Sequence, residues 1–127
     1  MAEDKGHLNE LSRVIIGRAF EVQNTLGVGF LEKVYENALA LELREAGLGV
    51  QQQYAMEVRY KQAMVGVYTA DMLVQNAVLV ELKAVKALDS IHEAQCINYL
   101  KATGLPLCLL LNFGHPRLEI KRLAGAG

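Results

Sequence analysis

The sequence predicts a mixed α/β fold, in which one central five-stranded sheet is flanked by helices. Two observations predict this fold class. In three segments the apolar residues recur at three- and four-residue steps, which is typical of amphipathic helices. In the remaining segments they alternate with other residues or form a short continuous run, as they do in strands. The predicted order of elements is α-α-β-β-β-α-β-β.

The first two predicted helices are both followed by glycine. The first covers residues 8–26, with the apolar stripe Leu8, Leu11, Ile15, Val22 and Leu26. The second covers residues 31–46, with the predicted core stripe Leu31, Val34, Ala38 and Leu41. Gly27 and Gly29 follow the first helix and Gly47 follows the second, at the position where glycine ends many helices.

Three strands joined by two short turns are predicted next. Alternation marks the first strand at Tyr54, Met56, Val58 and Tyr60. The second and third strands cover residues 64–74 and 77–85. Turns are predicted at Lys61–Gln62 and Gln75–Asn76, because a short polar interruption between two strand patterns is typical of a hairpin.

The third helix is predicted to begin near Asp89 or Ser90, either of which could cap it, and to end before Gly104. Its helical spacing lies in Ile91, Ala94, Ile97 and Leu100. Residues 105–113 are almost all apolar, which predicts a strand covered on both faces. After a turn at residues 114–116, alternation at Leu118 and Ile120 predicts the last strand.

Size and composition limit the class of protein. A chain of 127 residues predicts one domain, spanning residues 1–127 with frayed ends at 1–7 and 124–127. Apolar residues make up 52% and charged residues 21%, which excludes an intrinsically disordered chain. The net charge of −1 provides no strong basic field to attract nucleic acid from a distance, although a local patch remains compatible with it.

A soluble protein of the cytoplasm is predicted, without a membrane partner. The polar N-terminus shows no signal peptide, and the apolar run at residues 105–111 is far shorter than the ~20 residues that span a bilayer. Cys96 and Cys108 lie in apolar surroundings without a C-x-x-C spacing, which predicts two buried thiols in a reducing compartment.

Acidic and basic residues interrupt the second and third strands. Glu81 and Lys83 share one face of the third strand with Leu79, and each is costly to bury without a partner. An edge strand with one wet face explains that pair equally well. Asp71, however, lies in the preceding strand, and a turn at residues 75–76 would bring its carboxylate close to Glu81. Two carboxylates near a lysine match the needs of Mg²⁺ or Mn²⁺ and of a hydrolytic water.

Two helices carry further polar residues. His92, Gln95 and Tyr99 share one face of the third helix, although a solvated surface is the simpler explanation of that strip. Glu32 and Tyr35 lie three residues apart at the start of the second helix. Glu32 alone is explained more simply as a favourable partner of the helix dipole.

Together these residues resemble a known family. Gly29-x-x-Glu32-x-x-Tyr35 resembles the motif after which the GxxExxY proteins are named, and the resemblance extends over residues 11–123. That family is placed in the PD-(D/E)XK nuclease-like superfamily, whose core is similar to Asp71 followed by Glu81-Leu82-Lys83. Gln95-x-x-x-Tyr99 is similar to the Q-x-x-x-Y motif of the RecB-like branch.

The resemblance implies a restriction-endonuclease-like core and a role for each matching residue. Mg²⁺ or Mn²⁺ would be held by Asp71, Glu81, the backbone carbonyl of Leu82, and Glu32. Lys83 would position the attacking water, so that the catalytic set is Glu32, Asp71, Glu81 and Lys83. The residues that would support the site or touch the substrate are Tyr35, His92, Gln95 and Tyr99. Ala70 departs from the family pattern, which has proline before the first aspartate.

The leading hypothesis is a metal-dependent nuclease that hydrolyses phosphodiester bonds, in DNA rather than RNA. A homodimer could join two basic patches across a duplex. A catalytically silent nuclease-fold module that binds a protein or nucleic-acid partner is the alternative. A third hypothesis is an enzyme that acts on a small phosphorylated molecule.

Overall fold

The computed structural model describes residues 5–125, which form helices on both faces of a five-stranded sheet. This confirms the predicted fold class and element order. The elements are α1 (Lys5–Leu26), α2 (Glu32–Glu45), β1 (Val50–Tyr60), β2 (Ala63–Val74), β3 (Val78–Lys83), α3 (Ser90–Thr103), β4 (Leu107–Asn112) and β5 (Glu119–Ala124).

The described ends of the chain lie in or next to regular elements. Residues 5–7 belong to α1 and Ala124 ends β5, and the expected fraying of these ends stays a prediction. The backbone N–H of Gly125 donates to the carbonyl of Pro106, at 2.8 Å, so the chain remains hydrogen-bonded one residue beyond β5. The rest of that prediction, at residues 1–4 and 126–127, lies outside the described residues.

The strands lie in the sheet in chain order, from β1 to β5. The pair β3–β4 is parallel and the other neighbouring pairs are antiparallel. Parallel neighbours need a long connection, and α3 supplies it between β3 and β4. All six residues of β4 are buried, as the continuous apolar run predicts.

Each face of the sheet has its own core. On the side of α1 and α2, Val78, Val80 and Leu82 of β3 pack into a large cluster that includes Tyr35 and Phe113. On the side of α3, Leu79 packs with Cys96 and Cys108. The predicted alternation of β3 is thus confirmed, and both cysteines are buried free thiols, as predicted.

The predicted core stripe of α2 is wrong at three of its four residues, and only Ala38 packs, partly buried, against the core. Leu31 is 79% exposed and Leu41 is 59% exposed, and Val34 is also on the surface. The buried residues of α2 are Tyr35, Glu36, Leu39, Ala40 and Leu43. Both stripes have helical spacing, and the buried one contains a glutamate, so hydropathy favoured the wrong face. In α3, similarly, Ile91 and Ile97 are exposed whereas Leu100 is buried.

Within residues 5–125, no helix combines the length and the apolar character required to cross a membrane.

Candidate active site at the fork between β2 and β3

Two acidic side chains lie where β2 and β3 separate, at a position we call the fork. The ladder between these strands ends at the pair Met72 and Val80, and the next residues in register are Asp71 and Glu81. Beyond the pair Met72 and Val80, backbone N–H groups of each strand donate to a carboxylate side chain of the other strand. Glu81 Oε1 accepts from the N–H of Asp71 at 2.9 Å, and Asp71 Oδ2 accepts from the N–H of Leu82 at 2.8 Å. Both carboxylates are therefore held in the fork by the opposite strand.

The fork is electrostatically unfavourable to two negative charges. Burial, together with the neighbouring Asp71 carboxylate, raises the pKa of Glu81 to about 8. Burial also raises the pKa of Asp71, although the hydrogen bond from Leu82 opposes that change. Like charges close together disfavour double ionisation, so the fork retains a proton or attracts a cation.

Lys83 supplies a positive charge at the rim of the fork. Its side chain is only 18% exposed, and its Nζ lies 4.0 Å from Glu81 Oε2. Lys83 follows Glu81 by two residues in β3, so both side chains are on the same face of the strand. The ammonium group lowers the pKa of Glu81, although burial has the larger effect.

Glu32 reaches the same site from α2, of which it is the first residue. Partial burial raises the pKa of Glu32, and so does the charge of Asp71. A hydrogen bond from the backbone of Ala84, just after β3, acts in the opposite direction, as does the charge of Lys83. The structure thus brings Glu32, Asp71, Glu81 and Lys83 into electrostatic contact.

Sequence reasoning missed two residues at the site, Glu36 and Gln53. Glu36 lies one helical turn after Glu32 and is 3% exposed. Its carboxylate accepts from Lys33 Nζ at 3.1 Å, from Gln52 Nε2 at 2.7 Å and from Gln53 Nε2 at 2.8 Å. The spacing Glu32-x-x-x-Glu36 places both acids on one helix face, and this signal was available in the sequence.

The four predicted supporting residues have different surroundings. Tyr35 is buried; its hydroxyl donates to the carbonyl of Gly27 at 2.6 Å and accepts from the N–H of Phe30 at 3.2 Å. Tyr35 therefore fixes the loop that leads into α2. His92 belongs to the N-terminal cap of α3, where its Nδ1 accepts from the N–H of Asp89 at 3.2 Å.

Gln95 and Tyr99 face a groove between α3 and the hairpin of β1 and β2. The groove has a volume of about 1120 Å³, and its lining includes Tyr54, Arg59, Tyr68 and Lys101. The rings of Tyr68 and Tyr99 lie 6.2 Å apart. Burial and the charge of Glu81 raise the pKa of Tyr99, so its hydroxyl stays protonated near the fork.

The donor chemistry of the fork fits a hard divalent cation. Each carboxylate uses one oxygen to accept from the backbone, which leaves a second oxygen as a ligand. Within residues 5–125, no three Asp, Glu, His or Cys side chains are grouped closely enough to enclose a metal by themselves. Mg²⁺ commonly binds through one or two carboxylates and keeps several waters, so two opposed acids are sufficient for it.

Comparison with known proteins identifies the family. The model of the PD-(D/E)XK nuclease superfamily matches residues 9–123, a range that includes all of the residues of the fork. The chain belongs to the PD-(D/E)XK nuclease superfamily. In this PD-(D/E)XK protein, Lys83 follows Glu81 by two residues in β3, and Asp71 lies opposite Glu81 across the fork.

Two solved structures resemble this PD-(D/E)XK protein in fold. The crystal structure of SSO0001 is 15% identical, with a TM-score of 0.55, over 74% of this chain and 50% of that one. An alkaline exonuclease from Laribacter hongkongensis is 15% identical, with a TM-score of 0.54, over 98% of this chain and 72% of that one. The chain thus spans half the length of the first structure. Among curated proteins, none matches this chain.

Proposed function

We propose that this protein is a metal-dependent nuclease that hydrolyses phosphodiester bonds, with DNA as the preferred substrate. The observation that carries this proposal is the fork, where two opposed carboxylates and a lysine meet in a largely buried position. Keeping two carboxylates together in this position is costly, and the single charge of Lys83 offsets only part of that cost. Membership of the PD-(D/E)XK nuclease superfamily supports the same activity.

Each residue of the site has a role in this proposal. Asp71 and Glu81 would hold Mg²⁺ or Mn²⁺, aided by Glu32 and by the backbone carbonyl of Leu82. The ion would supply a positive charge that polarises the phosphate and lowers the pKa of a water. Lys83 orients the attacking water and steadies the negative charge that develops on the phosphate.

The groove beside the fork supports a nucleic-acid substrate. Tyr99 lines the groove and also senses the charges of Glu81 and Asp71, so this end of the groove lies on the side of the fork. Tyr54 and Tyr68 offer rings on which bases can stack, and Lys101 offers a charge for phosphates, whereas Arg59 is paired with Glu57 of the same lining. This local arrangement supports nucleic-acid binding in a chain whose net charge is −1.

We propose further that the chain belongs to the GxxExxY proteins within the superfamily. The structure supports this with a physical reason for each motif position. Gly29 has φ +109°, a conformation that residues with a Cβ rarely adopt. Glu32 reaches the fork, and Tyr35 fixes the intervening loop. We also propose a cytoplasmic location, supported by the free thiols, and a homodimer, supported by the exposed apolar side chains of α2.

The test is cleavage of single- and double-stranded DNA and RNA with Mg²⁺ or Mn²⁺. We expect the wild type to cut DNA, and both Asp71→Ala and Lys83→Ala to lose at least about 100-fold of that activity. Glu21→Gln and Lys5→Ala, which change exposed groups of α1, serve as matched controls and retain it. Urea unfolding checks that every variant is folded.

Equal background cleavage by all five proteins would contradict the nuclease proposal. The acids and Lys83 would then serve a module that binds a partner without cleavage. Hydrolysis of a small phosphate ester but not of DNA or RNA, lost in both site variants, would instead favour an enzyme that acts on a small phosphorylated molecule.

A further inference from the structure

The backbone of β1 is distorted directly opposite the fork. Gln53 has φ +55° in the interior of a strand, where residues with a Cβ normally have negative φ. The β1–β2 pairing includes Gln52 with Met72 and Tyr54 with Ala70, but it omits the intervening pair of Gln53 with Asp71. β1 therefore departs from regular strand geometry at Gln53, which lies opposite Asp71.

The distorted backbone of β1 places the side-chain amide of Gln53 against the buried Glu36. Its Nε2 donates to Glu36 Oε1 at 2.8 Å. The same residue lies opposite Asp71 in the register of the two strands, and its side chain lowers the pKa of the Asp71 carboxyl. Gln53 thus stands between two acids from different elements, α2 and β2, whose charges repel. Strained residues persist where the surrounding structure holds them, and they concentrate at functional sites.

We propose that Gln53 is a positioning residue, which holds the Asp71 carboxylate in its metal-binding orientation by linking it to the buried Glu36. This inference rests on the proposed function, because it assumes that Asp71 binds the metal. We do not expect Gln53 itself to contact the ion or the substrate. It would act as do outer-shell residues in other metal sites, which orient a metal-ligating side chain without binding the metal.

A Gln53→Gly variant distinguishes the effect of the Gln53 side-chain amide from the effect of the backbone conformation at this position. Gln53→Gly accepts a positive φ without strain and removes only the side chain. The matched control is Gln62→Gly, at the turn between β1 and β2. Gln62 also has a positive φ, of 69°, but it lies in the turn rather than opposite the fork. Both substitutions place glycine at a position of positive φ and so relieve the same kind of backbone strain. A difference in Mn²⁺ affinity between the two variants therefore reports on the side-chain amide of Gln53.

Mn²⁺ binding to the substrate-free protein is measured first, by titration calorimetry or by the loss of the free-ion EPR signal. We expect Gln53→Gly to bind Mn²⁺ about 10- to 100-fold more weakly than the wild type, and Gln62→Gly to bind it normally. In cleavage assays the Mn²⁺ concentration for half-maximal rate should rise by the same factor, while the KM for DNA stays unchanged. The thermal midpoint of the metal-free variant should fall only modestly, because glycine relieves the positive φ while Glu36 loses one donor and keeps those from Lys33 and Gln52.

Equal Mn²⁺ affinity in Gln53→Gly and the wild type would overturn this inference and leave the nuclease proposal standing. Failure of the wild type itself to bind Mn²⁺ would overturn both, and the wild-type titration therefore distinguishes the two failures. Should Gln53→Gly not fold, Gln53→Asn takes its place, because asparagine tolerates a positive φ and its shorter side chain cannot link both acids. The same weakened binding is expected of it, and normal binding would contradict the inference.

Discussion

Replacing Glu81 by glutamine should change how the stability of the metal-free protein depends on pH. The ordinary pKa of this carboxyl is 4.5, and in the folded protein it is raised to about 8 by burial and by Asp71. Below pH 4.5 the group is protonated in both the folded and the unfolded state, and its stabilising contribution is fully present. As the pH rises through 8 that contribution is lost, because the unfolded chain releases the proton first.

The size of this loss follows from the difference between the two pKa values. Each pKa unit corresponds to about 1.4 kcal/mol, so Glu81 costs at most about 5 kcal/mol above pH 8. Because Asp71 shares the site and takes part in the same titration, we expect a measured loss of about 2–5 kcal/mol. The amide introduced by Glu81→Gln can still accept from the N–H of Asp71 and carries no charge, so the variant should lose little stability over this window.

The assay is urea unfolding in EDTA at intervals from pH 4.5 to pH 9. The free energy of unfolding of the wild type should fall relative to that of Glu81→Gln as the pH rises. Glu21→Gln removes an exposed carboxylate from α1 and should follow the wild type. Parallel curves for the wild type and Glu81→Gln would refute the claim that Glu81 is held in an environment that disfavours its charge.

Two further predictions concern the framework around the site. Tyr35→Phe removes two hydrogen bonds that fix the loop before α2 but keeps the ring stacked on Phe113, so the free energy of unfolding should fall by about 1–3 kcal/mol in urea denaturation; an unchanged value would show that these bonds do not stabilise the loop. Gly114→Ala should lower the thermal midpoint, because a Cβ at this position would collide with the backbone of Val85, whereas Gly17→Ala in α1 meets open space and should stabilise by up to about 1 kcal/mol. A Gly114→Ala variant as stable as the wild type would contradict the close packing of this turn on the end of β3.

Much of the site could be predicted because it depends on neighbouring segments of the chain. Residues in one strand alternate between faces, so Glu81 and Lys83 had to share a side of β3. A two-residue interruption at Gln75–Asn76 was enough to predict that Asp71 would face Glu81, and the register confirms that they follow the last ladder pair. These relations need only local geometry.

The buried face of α2 could not be chosen in the same way. Leu31, Val34 and Leu41 are spaced as well for burial as Tyr35, Leu39 and Leu43, and hydropathy alone favours the stripe without a glutamate. The choice depends on partners from distant segments. Glu36 is tolerated in the interior because Gln52 and Gln53 of β1 donate to its carboxylate.

The sequence by itself determined the order of the elements, the two faces of β3, and the proximity of Asp71 to Glu81, because these follow from the periodicity of the backbone and from short turns. Only the tertiary structure decided that the ladder between β2 and β3 stops at the acids, that Glu36 is buried beside them, and that Gln53 donates to the Glu36 carboxylate. The physical reason is that a buried charge is stable only where donors from other elements reach it, and no pattern within one segment specifies which donors will do so.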